Sequence, residues 1–291
     1  MLEPVSVHRV PSTDGVELAA YDYGGVGPTL LVGHATGFHG RVYDPMLARL
    51  EGYRRISVDL RGHGDATAPN GLDYSWESCA DDLLAVVDTL ELSGQGPLVG
   101  FGHSMGAAAL LMAEPRRPGL FAGLVCYEPV IYPPGVTGDD ARLAVWVERT
   151  KKRRSRFDSV EAAITNYASK MPYSLLDPAA LEAYVRHGFA DRPDGRVEIK
   201  CRPEVEALLY LMGPHHRAWD TLNEVRCPVA MMRGAVLIPG PAYWAETIVG
   251  ELPNVDFMEL EGLGHLGPME DPELLATLTA TALEAATSER R

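Results

Sequence analysis

Five consecutive residues, Gly102 to Gly106, have the types and spacing needed for nucleophilic catalysis. They read Gly-His-Ser-Met-Gly. Residues 98–101 before them form an apolar run typical of a buried strand, and residues 107–113 after them are small and apolar, as in a packed helix. A serine on a sharp strand-to-helix turn projects its hydroxyl above a sheet, and glycines two positions away leave room for the turn. The pattern therefore predicts Ser104 as a nucleophile.

A serine hydroxyl is a weak nucleophile at neutral pH and needs a neighbouring base. His265 lies in a glycine-rich loop, residues 261–267, which follows the last predicted strand. Loops at the carboxyl ends of parallel strands are where such sheets place their chemistry. Other histidines also lie near predicted strand ends, so position alone does not single out one residue: they are His34, His39, His63 and His103. We predict His265 as the base because it occupies the last such loop.

The elements that must position these residues alternate along most of the chain. A hairpin is predicted at residues 5–10 and 16–23, where polar and apolar residues alternate. Strands are expected at 29–33, 55–60, 97–101, 120–127, 228–232 and 255–260, and helices at 42–50, 76–92 and 272–286. Repeated strand–helix units predict an α/β fold, a mostly parallel sheet with helices on both faces.

The alternation stops after Glu128, where prolines and glycines lead into a mainly helical stretch. We predict a core domain in two parts, residues 1–131 and 223–291, separated by a helical cap at 132–222. Residues 149–156 of this cap are rich in arginine and lysine. The first interpretation is a solvated helix face, and the second is attraction of anionic substrates.

Composition excludes several classes of protein. The 291 residues carry a net charge of −14, which argues against a general nucleic-acid binder. The four cysteines are widely scattered and include no C-x-x-C pair, so neither a zinc site nor any other metal is expected. No signal peptide or apolar run of membrane-spanning length is evident. We expect a cytoplasmic protein with no cofactor and no membrane or nucleic-acid partner, and the oligomeric state stays open, a homodimer included.

Four motifs in order resemble the α/β-hydrolase family over nearly the whole chain. They are residues 34–38 (His-Ala-Thr-Gly-Phe), residues 59–64 (Asp-Leu-Arg-Gly-His-Gly), the 102–106 turn, and Gly264-His265. The resemblance implies an inserted cap and an oxyanion hole formed by the backbone N–H groups of Thr36 and Met105. It implies a structural role for residues 61–64.

The chain departs from the usual family pattern at the position of the carboxylate that orients the catalytic histidine. In this family the acid most often follows the strand placed here at 228–232, yet residues 233–239 contain no carboxylate. A minority, including some haloalkane dehalogenases and zearalenone-type lactonases, place it after the strand that follows the nucleophile. Glu128 occupies that position and is the predicted acid, with Asp256 as the fallback.

These residues together favour a serine hydrolase that cleaves a carboxylic ester or lactone of a medium-sized hydrophobic small molecule through an acyl-enzyme. A C–C bond hydrolase of the meta-cleavage type uses the same fold, serine and histidine, but its acid follows the later strand. A non-enzymatic ligand receptor on the same scaffold is the third possibility. An intact set of nucleophile, base and acid favours the first.

Overall fold

An eight-stranded sheet forms the centre of the computed structural model, which describes residues 2–69, 71–72, 74–136, 141–235 and 241–288. In chain order its strands are β1 (Ser6–Pro11), β2 (Glu17–Asp22), β3 (Thr29–Gly33), β4 (Arg54–Asp59), β5 (Leu98–His103), β6 (Gly123–Tyr127), β10 (Val229–Gly234) and β11 (Val255–Leu260). The spatial order is β1-β2-β4-β3-β5-β6-β10-β11. β2 pairs antiparallel with β1 and β4, and the other neighbours are parallel. The predicted mostly parallel sheet is confirmed.

Helices cover both faces of this sheet. They are α1 (Asp44–Leu47), α2 (Trp76–Thr89), α3 (Met105–Arg116), α8 (Ala245–Val249), α9 (Gly267–Glu270) and α10 (Pro272–Ser288). Successive side chains of β3 alternate between two apolar cores: Leu31 packs with α2 and α3, whereas Leu30 and Val32 pack with α1 and α10. Burial on both faces explains why the strands read as continuous apolar runs.

The chain leaves the sheet after β6 and returns to it at β10. The intervening segment contains α4 (Ala141–Lys151), α5 (Val160–Ala168), α6 (Pro178–Gly188) and α7 (Pro203–Met212). It also contains a small antiparallel sheet of β7 (Arg156–Phe157), β9 (Val197–Ile199) and β8 (Phe189–Asp191), in that spatial order. The segment is thus less purely helical than the sequence indicates, because strands of two or three residues are too short to show a period.

The parallel strands all point the same way, so the loops after β3, β5, β6 and β11 lie along one edge of the sheet. These are the loops in which the sequence places its candidate residues. Within the described ranges, no helix is both long and apolar enough to span a bilayer.

Candidate active site

Ser104 occupies a strained turn between β5 and α3. Its backbone angles are φ 54° and ψ −113°, a region that residues other than glycine rarely adopt. The side chain is 5% exposed, and its hydroxyl does not cap the helix that follows. The backbone N–H of Ser104 donates to the carbonyl of Tyr127 at 2.9 Å, which fixes the turn against β6. The hydroxyl therefore lies at the start of α3 but makes no capping hydrogen bond to the N–H groups of that helix.

The glycines around this turn are required by close packing. A Cβ at Gly106 would collide with the backbone of Gly33 at the end of β3, and one at Gly102 would lie 2.5 Å from the Cα of Ala107. The N–H of Gly106 also donates to the carbonyl of His34 at 3.1 Å. This contact brings the turn against residues 34–38, hereafter the oxyanion loop.

Glu128 follows β6 and also has a positive φ, 44°. Among the described residues other than glycine, four have a positive φ, and Ser104 and Glu128 are two of them. The Glu128 side chain is 2% exposed, and its Oε1 accepts the N–H of Gly234, at the end of β10, at 2.7 Å. Glu128 thus reaches the strand end from which the family's acid most often comes. Residues 236–239, part of the stretch without a carboxylate, lie outside the described residues.

The structure brings Glu128 and His265 into direct contact. Oε2 of Glu128 lies 2.5 Å from Nδ1 of His265. A carboxylate accepts, so Nδ1 carries the proton and donates it, and in the uncharged ring Nε2 is left as an acceptor. This is the orientation that a base requires. Asp256, the fallback acid, is instead exposed on β11.

His265 lies beside the turn that holds Ser104. Its ring centroid is 5.1 Å from that of His103, the residue before Ser104. The His265 side chain is 37% exposed, whereas Ser104 is buried. The site is therefore open to solvent at the histidine.

Two buried histidines shape the oxyanion loop. Nε2 of His34 accepts the N–H of Leu60 at 3.0 Å, and Nε2 of His63 accepts the N–H of Gly37 at 3.0 Å. Burial lowers the pKa of His34 to about 3 and that of His63 well below its usual value, so both stay uncharged. His63 thus has the structural role that the sequence assigns to residues 61–64.

Thr36 contacts Met105 across this junction, with 3.4 Å between the Thr36 hydroxyl and the Met105 sulfur. The N–H groups of Ala35, Gly37 and Phe38 all donate to acceptors in the protein. In the described part of the chain, the Thr36 N–H donates to none. Met105 is the first residue of α3, where N–H groups have no partner within the helix.

The segment between β6 and β10 also reaches the oxyanion loop. The hydroxyl of Tyr210, on α7, donates to the Thr36 carbonyl at 3.4 Å. Glu206, on the same helix, is buried beside Gly37, where a Cβ would lie 2.5 Å from its carboxylate. Glu206 forms an ion pair with Arg153, whose guanidinium also donates to the hydroxyls of Tyr167 and Tyr184.

Arg153 corrects one interpretation of the basic cluster. Its side chain is only 14% exposed, so it belongs to the interior rather than to a solvated helix face. Its neighbours Arg149, Lys151, Lys152, Arg154 and Arg156 are exposed, as that interpretation requires. Nothing in the sequence separates the buried arginine from the exposed ones, because charge runs carry no regular period here.

Sequence reasoning also missed three residues that support the site. Tyr43 contacts His103, and Tyr127 and Glu270 bond Gly264 beside His265. One signal was available: His103 and Tyr127 each stand directly before a predicted catalytic residue. Among the described side chains, no group of three or more histidines, cysteines or carboxylates could hold a metal ion.

The chain is similar in sequence to proteins that are named as hydrolases. It is 27% identical over 280 residues to lipase LipV of Mycobacterium tuberculosis, covering 92% of this chain and 98% of that protein. It is 28% identical over 199 residues to a type I acyl-CoA thioesterase of Penicillium brevicompactum, covering 64% of this chain. This chain spans 44% of that thioesterase's length.

Solved structures show the same fold at low sequence identity. E-2-(acetamidomethylene)succinate hydrolase superposes with a TM-score of 0.79 at 20% identity, covering 96% of this chain and 99% of that one. A thermophilic esterase from Thermogutta terrifontis gives 0.71 at 21% identity, covering 97% and 100%. The model of the alpha/beta hydrolase family matches residues 30–278. The chain belongs to the alpha/beta hydrolase family.

Proposed function

We propose that this protein is a serine hydrolase that cleaves a carboxylic ester or lactone through an acyl-enzyme. The contact between Glu128 and His265 is the observation that carries the proposal, because it leaves Nε2 of His265 as an acceptor beside the turn that holds Ser104. The relatives named as a lipase and an acyl-CoA thioesterase agree with acyl transfer.

The proposed reaction begins when Nε2 of His265 takes the proton of the Ser104 hydroxyl. Oγ attacks the substrate carbonyl, and the N–H groups of Thr36 and Met105 donate to the oxyanion. The imidazolium, stabilised by Glu128, gives its proton to the leaving alkoxide, and an acyl-enzyme remains. His265 then deprotonates water, which attacks the acyl group, releases the acid and restores Ser104.

The proposed substrate is medium-sized and largely hydrophobic. Phe38 of the oxyanion loop packs against Tyr173 and Tyr184, with ring centroids 6.0 and 5.2 Å away. An acyl chain lying against such a wall would be held by apolar contact.

Labelling with a fluorophosphonate, followed by peptide mapping, tests the nucleophile. We expect the label on Ser104 and none on the Ser104→Ala variant. Turnover of p-nitrophenyl butyrate and a γ-lactone should fall by about 10⁴-fold or more in that variant. Labelling of another residue, or hydrolysis confined to a vinylogous diketone, would contradict the proposal.

A further inference from the structure

His103 is fully buried beside the site and has no part in the proposed reaction. Both ring nitrogens are bonded: Nδ1 lies 2.8 Å from the Tyr43 hydroxyl, and Nε2 lies 2.7 Å from the carbonyl oxygen of His265. The second bond joins residues 162 positions apart. His103 therefore connects the turn of Ser104 to the loop of His265.

The direction of these bonds follows from the chemistry of their partners. A carbonyl oxygen only accepts, so Nε2 of His103 carries a proton and donates it. Burial lowers the pKa of His103 well below its usual value, so the ring is uncharged and Nδ1 has no proton. Nδ1 accordingly accepts from the Tyr43 hydroxyl. That hydroxyl in turn accepts the N–H of Ala35, in the oxyanion loop, at 3.3 Å.

Tyr127 makes a parallel bond to the same loop. It stands directly before Glu128, as His103 stands before Ser104, and its hydroxyl donates to the carbonyl of Gly264 at 2.7 Å. Two consecutive carbonyls, of Gly264 and His265, are thus held by the residues that precede the predicted acid and nucleophile. The backbone at residues 264 and 265 is therefore held by side chains from the ends of β5 and β6.

The hydrogen bond from His103 to the His265 carbonyl, hereafter the tether, matters because packing alone does not fix the His265 ring. The side chain is 37% exposed, and Glu128 fixes it at one atom, Nδ1. A ring held at one atom can still swing about that bond. A second fixed point, at the backbone carbonyl, determines where Nε2 lies relative to Ser104.

We propose that His103 is a positioning residue for His265, oriented by Tyr43, and that it couples the oxyanion loop to the loop of the base. The inference rests on the proposed function. The bonds run from the Ala35 N–H to the Tyr43 oxygen, from the Tyr43 hydroxyl to His103 Nδ1, and from His103 Nε2–H to the His265 carbonyl.

Steady-state kinetics on p-nitrophenyl butyrate test this role. His103→Leu removes the donor, and we expect kcat to fall by about 10²-fold with KM within about twofold, as for misplaced catalytic groups. His103→Gln keeps an N–H near the position of Nε2 and should recover kcat to within about tenfold of wild type. A rise in KM with kcat unchanged would overturn the proposal. Equal kcat for the Leu and Gln variants would also overturn it.

A double-mutant cycle tests whether Tyr43 acts through His103. Tyr43→Phe alone should lower kcat by about tenfold, but Tyr43→Phe with His103→Leu should be no slower than His103→Leu. Additive losses would contradict the coupling. Tyr53→Phe is the matched control, since this buried tyrosine bonds the Ala280 carbonyl at 3.4 Å, and it should keep wild-type kcat.

A measurement independent of turnover separates this inference from the proposed function. In ¹⁵N-histidine NMR of the wild-type protein, His103 should carry its proton on Nε2 and not on Nδ1 from pH 6 to 8. The opposite tautomer overturns the inference even if esters are hydrolysed. An expected tautomer with no ester or lactone turnover contradicts the proposed function and leaves the hydrogen-bonded tether supported.

Discussion

Two residues of the candidate site carry backbone strain. Ser104 and Glu128 both have φ near +50°, although a side chain disfavours that region by about 1 kcal/mol or more. Each is held there by a hydrogen bond from its own N–H to the next strand, at 2.9 Å in both cases. Such strain persists where a side chain must point in one direction, and the Glu128 carboxylate indeed reaches Nδ1 of His265.

Substituting Glu128 by Gln tests its predicted role as the acid. The amide keeps the size of the side chain and can still accept the Gly234 N–H, but it removes the negative charge beside His265. We expect kcat to fall by about 10³-fold or more, with the far-UV circular dichroism unchanged. The assay is turnover of a p-nitrophenyl ester.

Asp256→Asn is the control for that substitution. Asp256 is exposed on β11, so its variant should keep wild-type turnover. Near-wild-type activity of Glu128→Gln would remove Glu128 from the mechanism, and a large loss in Asp256→Asn would point to the fallback acid.

The sequence allows some of these residues to be predicted and not others. Ser104 is predicted because the turn's requirements fall within five adjacent positions. Glu128 needed the family resemblance, since a carboxylate after a strand has no local signature of its own. The role of His103 depends on a bond to a residue 162 positions away, and no local pattern specifies it.

At the scale of elements, the close packing of α3 against β3 constrains the turn that holds Ser104. A Cβ at Gly106 would meet backbone atoms of Gly33 and His34, which cannot move aside as a side chain can. Gly106→Ala should therefore destabilise the protein by about 3 kcal/mol, the upper range for overpacking a core. Urea unfolding followed by circular dichroism measures this.

Gly94→Ala provides the matched control. A Cβ at Gly94 meets no atom within 4 Å, and its φ is not positive, so alanine fits without strain. We expect a change within about 0.5 kcal/mol. Equal stability of the two variants would show that the turn can shift to admit a methyl group.

The core elements are predictable from the sequence, whereas the segment between β6 and β10 is only partly so. Residues 255–260 are expected as a strand and form β11, because a six-residue apolar pattern is long enough to detect. Asp177 and Pro178, a pair typical of helix starts, stand at the start of α6, where the carboxylate accepts the N–H of Ala179 at 2.8 Å. Strands as short as β7 leave no such signal.

At the scale of the whole molecule, the parallel sheet gathers loops from both ends of the chain at one edge. The oxyanion loop follows β3, and His265 follows β11, eight strands later in the chain order. The elements between them supply Ser104 and Glu128. This arrangement buries many polar side chains beside the site, and their titration links the stability of the fold to pH.

Four histidines are buried uncharged, and they should make the protein sensitive to acid. Burial lowers the pKa of His34 and His39 to about 3, and those of His63 and His103 well below the usual value. In the unfolded chain each would take up a proton below about pH 6.5. Stability is therefore fully present above pH 6.5 and falls as the pH is lowered, by about 1.4 kcal/mol per histidine per pH unit.

Buried carboxyls act in the opposite direction. Burial raises the pKa of Asp44 and Asp59 to about 6, so the folded protein binds protons between about pH 6 and 4 that the unfolded chain does not. Burial also raises the pKa of Glu206, and these carboxyls together offset part of the effect of the histidines. The histidines outnumber these carboxyls, so stability still falls as the pH is lowered below 6.

Calorimetry from pH 8 to 4.5 should therefore show a Tm that is flat above pH 6.5 and falls by about 2–5 °C per unit below pH 6. His39→Gln should reduce the slope, because the amide can still donate to the Tyr184 carbonyl, 3.1 Å from His39 Nε2, but takes up no proton in the unfolded chain. A Tm that rises toward pH 5 would mean that the buried carboxyls outweigh the histidines. An unchanged slope in His39→Gln would mean that this ring is already protonated in the folded protein.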